Sequence, residues 1–152
     1  MARLAPAVLC ALALLAILAP AGAAGAEEVS RESYREAVEP ICKTNTQANE
    51  RIFKGVRAEV RHNQLRPAAA AFEKAAKALK RTLAQLKAAP RPSADTAKLA
   101  KWLGFVKEEV DGFKAVAAQL RAAKRIAAER EVVKLTGNAA RANNVVIGFE
   151  FK

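Results

Sequence analysis

Leu99, Leu103, Val106, Val110, Phe113, Ala117 and Leu120 recur at alternating spacings of four and three, which places them on one line of a helix. Trp102, Phe105 and Val116 widen that line into a stripe broad enough to meet two neighbouring helices, as a bundle core requires. An earlier series, Tyr34, Val38, Ile41, Ala48, Ile52, Val56 and Val60, holds one helical phase over residues 30–62, with Ser30 as a natural N-cap. Because that phase continues across Pro40, it predicts one long helix kinked at Pro40. A competing start lies in the capping-box pattern of Thr44 and Gln47. Asn45 and Glu59 fall within the same stripe, either as register-setting polar residues or as positions at the bundle's ends.

A second helix is expected from near Pro67, with Phe72, Ala76, Leu79, Leu83 and Leu86 as its apolar line and Lys74, Lys77 and Arg81 on the opposite face. Pro90 and Pro92 end it, and Ser93 or Asp95 can cap the next. Continuing the four-three pattern past Leu120 lands mostly on charge, whereas a new phase starts at Ala128, Val132, Leu135, Ala139, Ala142 and Val146. A turn between about 121 and 127 is the simplest account; one long helix with a rotating contact face is the alternative. The last segment contains Gly137 and Asn138, poor helix residues, and Gly148 is a natural stop. Four helices with short links predict an all-α, antiparallel up-down four-helix bundle.

The chain's start changes the picture of where this bundle works. Arg3, the uncharged run 4–19 and the small residues ending at Ala26 have the form of a secretory signal peptide cleaved after Ala26. The expected organisation is a signal peptide at 1–26 and one helical domain at 27–152, exported to the extracellular space, periplasm or cell envelope. The apolar run is shorter than a bilayer span. Cys10 leaves with the signal, so Cys42 remains as a single thiol, either free and buried or bonded to another chain.

Charge singles out the second helix. The chain has 26 Lys and Arg against 15 Asp and Glu, but residues 27–63 carry seven of each and residues 66–88 carry six basic residues against Glu73 alone. Lys74, Lys77 and Arg81, flanked by Arg66, Lys80 and Lys87, would present positive charge to anionic lipid headgroups or cell-wall polymer, or simply keep the protein soluble. The absence of aromatics interleaved with these cations disfavours nucleic acid.

Catalytic chemistry has little material. His62 is the only histidine and sits at a predicted helix end. One His and one retained Cys cannot supply a zinc site of the usual kind, and there is neither a Cys-x-x-Cys-His nor a Glu-x-x-His motif, so no metal or other cofactor is expected. Glu109 lies within the wider flank of the third helix's stripe, either as a buried acid or, as is commoner, at an edge position paired to Lys or Arg.

Tyr34, the run Ile41-Cys42-Lys43 and the Gly148-Phe149 ending resemble small Ala-rich exported helical proteins of unknown function from high-GC bacteria. In those, the resemblance implies a disulfide between the Ile-Cys and a C-terminal Cys beyond the Gly-aromatic pair. This sequence stops at Lys152 without that second Cys, so either the intrachain bond is missing or the chain is cut short. The expected role is binding without catalysis. One form of it is adsorption to anionic lipid or cell-wall polymer through Lys74, Lys77 and Arg81. Another is a structural role in which the chain binds a protein partner or itself through Cys42.

Overall fold

The computed structural model describes residues 28–151, and the protein is an all-α bundle. The signal-peptide reading, with Cys10 and the Ala26 cleavage point, lies outside these residues. Among the described residues no helix is long and apolar enough to cross a membrane. The helices are α1 (Arg31–Phe53), α2 (Val56–Arg61), α3 (Leu65–Ala88), α4 (Thr96–Arg121) and α5 (Arg125–Val145). Short 3-10 turns at Ser93–Asp95 and Ile147–Phe149 precede α4 and follow α5. The principal contacts run in chain order, α1 on α3, α3 on α4 and α4 on α5, with α2 seated on α3.

All seven residues of the α4 line are buried. On α3, small residues let the neighbouring backbones approach: Ala68, Ala69, Ala75 and Ala76 are buried beside Leu79, Leu83 and Leu86. At the α4–α5 contact a glycine serves the same end. A Cβ at Gly112 would lie 2.4 Å from Leu135 Cδ2, so the missing side chain is the seat that Leu135 occupies. One helical step away, Asn138 is buried and donates from Nδ2 to the Phe105 carbonyl at 2.8 Å. Its Oδ1 accepts from Arg141 at 3.2 Å. A residue with poor helix propensity is therefore held by one hydrogen bond across the interface and one within its own helix.

Residues 30–62 do not form the single helix that their phase predicts. Ser30 caps α1 as expected, its Oγ accepting from the Ser33 amide at 3.0 Å. The helix then runs through Pro40, where the Thr44 hydroxyl donates to the Pro40 carbonyl at 2.8 Å instead of opening a new helix. Glu36 and Pro40 are both exposed, so water can reach the Glu36 carbonyl that Pro40 leaves without an amide. The interruption comes at Lys54 and Gly55, the latter at φ 89°, a conformation that suits glycine.

The later segments follow the phase more closely. The chain turns between α4 and α5 at 122–124, where Ala123 has φ 56°, and this excludes one continuous helix. Two local expectations are corrected. Asp95 does not cap α4 with its side chain; it is buried and receives a two-pronged hydrogen bond from Arg31 at 2.6 and 2.8 Å, tying the starts of α1 and α4 together. Gly148 does not end α5, which stops at Val145; it lies within the final 3-10 turn.

Two aromatic groups brace the bundle. In the first, Phe53 of α1 lies 4.9 Å from Phe72 of α3 and 5.7 Å from Phe113 of α4, between ring centroids. In the second, Phe149 and Phe151 of the C-terminal tail meet Tyr34 of α1, and Phe151 stacks on Trp102 of α4 at 5.5 Å.

Candidate functional site

The exposed side of α3 follows from its inward one. Because Leu65, Ala68, Ala75, Leu79, Thr82, Leu83 and Leu86 turn into the core, residues spaced between them by three and four must face water. Lys74, Lys77 and Arg81 are all exposed and occupy one side of the helix over about two turns. Arg66, Lys80 and Lys87 extend the same exposed surface. The one acid of this stretch, Glu73, is already engaged: Arg121 of α4 donates to both its oxygens at 2.5 and 2.7 Å, which holds the carboxyl below its ordinary range. Among the described residues none of the six cations forms an ion pair, so their charge is available to an outside anion.

Cys42 is free and half-buried on α1, where it packs against the core. Burial pushes its thiol pKa up, and nearby Glu39 adds to the effect. That environment opposes the thiolate required for disulfide exchange. His62 is exposed at the C-terminal end of α2. Among the described residues, no three of His, Cys, Asp and Glu gather where they could hold a metal ion.

Glu109 is not the paired edge residue that is the commoner of its two expectations. It is half-buried, forms no ion pair with Lys or Arg among the described residues, and burial raises its pKa above the ordinary glutamate value. Of the polar residues in the α1–α2 stripe, Asn45 is half-buried and accepts from the Thr82 hydroxyl at 3.2 Å. Glu59, on α2, keeps one buried oxygen without a partner.

A concave feature that the sequence did not disclose lies at the end of the bundle where α3 begins and α4 ends. It is a groove of about 570 Å³ between α2 and α5. Val116 and Leu120 of α4 and Phe72 of α3 form its floor, while Val56 and Val60 face Ala128 and Val132 across it. Arg57, Arg61 and Arg125 stand on its rim. The only sequence signal for it was the spacing of four between Arg57 and Arg61 just after Gly55. Comparison with protein-family models, with curated proteins and with solved structures finds no match.

Proposed function

We propose that this chain is an exported helical-bundle protein that acts by binding, and that the exposed side of α3 is the surface with which it adsorbs to an anionic lipid layer or cell-wall polymer. The observation that carries this reading is the set of six exposed, unpaired cations on one helix whose single acid is occupied by Arg121. A face that served solubility alone would have no need to exclude acids, since mixed charge solubilises equally well. The half-buried, poorly ionised Cys42 gives no comparable support to dimerisation through a disulfide.

The test is co-sedimentation of the purified protein with phosphatidylglycerol and phosphatidylcholine vesicles at low and at about 0.5 M salt. Each cation near an anionic surface contributes about 1 kcal/mol. Changing Lys74, Lys77 and Arg81 together to Gln is therefore expected to lower the partition coefficient about 100-fold. Parallel sedimentation with an insoluble anionic cell-wall polymer and with phosphatidylglycerol vesicles distinguishes polymer from lipid as the source of the anions. Equal sedimentation with both lipids, or binding that survives high salt and the triple substitution, would remove this face from the account.

A further inference from the structure

We infer that the groove between α2 and α5 is a binding site for a single-chain anionic amphiphile, with its acyl chain on the apolar floor and its carboxylate or phosphate on Arg57 and Arg61. The site is distinct from the α3 face and does not depend on it. Three observations converge.

The first is size. A volume of about 570 Å³ falls within the range of pockets that enclose small molecules, roughly 300 to 1,000 Å³. A folded partner would need about 800 Å² of surface from each side, far more than this short trough offers.

The second is the lining. Phe53, Val56, Val60, Phe72, Leu120 and Val132 supply a continuous hydrocarbon surface, and Val132 keeps 40% of its surface exposed at the mouth. Water over such a floor is readily displaced by a methylene chain, and each methylene buried is worth about 0.8 kcal/mol.

The third is charge. Arg57 and Arg61 lie one turn apart on α2, and among the described residues neither has an ion-pair partner. Like charges at this spacing oppose the helix by a few tenths of a kcal/mol, a repulsion that an anion between them relieves. Across the groove Arg125 pairs with Glu129 only within its own helix, at 3.6 Å. The rim therefore carries three guanidiniums against one carboxylate, and guanidinium is the group best shaped to grip carboxylate or phosphate. The same charge rejects a second copy of this chain, whose formal net charge is +11.

Isothermal titration of the purified protein with dodecanoate and dodecyl phosphate, below their aggregation concentrations, tests the site. Dodecyltrimethylammonium and dodecyl maltoside carry the same tail with the wrong head. Saturable one-to-one binding of either anion, weaker by tenfold or more for both control heads, is expected. Arg57→Gln with Arg61→Gln should weaken it at least tenfold, and Val132→Glu, on a half-open wall, should do the same. Circular dichroism establishes that each variant remains folded. The variant lacking the α3 cations Lys74, Lys77 and Arg81 should bind dodecanoate as tightly as the parent, which separates this site from the adsorbing face. The inference fails if the anions do not saturate, if the cationic amphiphile binds equally well, or if the α3 variant loses binding while the Arg57 and Arg61 variant keeps it. It fails equally if an acidic amphipathic peptide binds and dodecanoate does not.

Discussion

Glu109 shows how one side chain can work against the fold that contains it. It sits on α4 between Trp102 and Val116, in a stripe of buried apolar residues, and burial raises its pKa above the ordinary value of 4.5. Between the unfolded and the folded pKa, the folded state thus holds a proton that the unfolded chain releases. Stability is undiminished below the unfolded pKa, and it declines as pH rises from there through the folded pKa, because only the unfolded chain gains the free energy of ionising. Glu109→Gln keeps the shape and hydrogen-bonding capacity of the neutral acid. It should raise the melting temperature at pH 7 and match the parent at about pH 3.5. An equal gain at both pH values in thermal scans would show that charge is not the cause. The sequence placed Glu109 correctly on the stripe's flank, since angular position follows from spacing alone. That it lacks a cationic partner was not legible, because a partner on another helix depends on packing that periodicity does not encode.

At the scale of the element, the break that the sequence assigns to Pro40 falls at Gly55 instead. Pro40 is the stronger helix breaker in principle, yet it lies on an exposed side of α1 where water can satisfy the orphaned carbonyl. Gly55 breaks the helix, and phase could not reveal it because Ile52, Val56 and Val60 keep their spacing of four across the break. Nothing lies within 4 Å of a Cβ placed on Gly55, so the cost of Gly55→Ala is purely that of its φ of 89°, about 1 kcal/mol. Gly104, inside α4, has equally open space at an ordinary helical φ, and Gly104→Ala should gain roughly 0.5 to 1 kcal/mol. Urea denaturation should therefore move the two midpoints in opposite directions; a shift of the same sign in both would refute the assignment of the break to backbone conformation. The stripes of α3 and α4, the turn at 122–124 and the basic side of α3 were all legible because each is a property of one segment's spacing. The groove was not. It needs α2 and α5 brought together from distant parts of the chain. The balanced charge of residues 27–63 also concealed it, since the acids lie mostly early in that stretch and Arg57 and Arg61 lie at its end.

For the molecule as a whole, the helices touch in chain order, so the edge between α1 and α5 is the one that simple hairpin packing leaves least secured. The C-terminal tail secures it. The 3-10 turn Ile147–Phe149 contacts both α1 and α5. Phe149 is only 3% exposed, its ring set edge-on to Tyr34 at 6.0 Å, with Arg31 and Lys98 over its face at 5.4 and 5.8 Å. Phe151 then bridges Tyr34 to Trp102. Phe149 in the 3-10 turn and Phe151 just beyond it thereby join α1 to α4 and α5. Deleting a buried phenylalanine ring costs about 3 to 5 kcal/mol when the surroundings cannot collapse, and the exposed neighbours of Phe149, Gly148 and Glu150, favour the lower figure. Phe149→Ala should accordingly cost about 3 kcal/mol in urea denaturation, and hydrogen exchange should accelerate first around Tyr34 and Val38, the fully buried residues of α1 that lie nearest the tail. Phe151→Ala should change Trp102 fluorescence with a smaller loss of stability, because Phe151 is only half-buried. If Phe149→Ala costs less than about 1 kcal/mol and leaves exchange in α1 unchanged, the bundle closes without its tail and the α1–α5 edge is secured by the helices themselves.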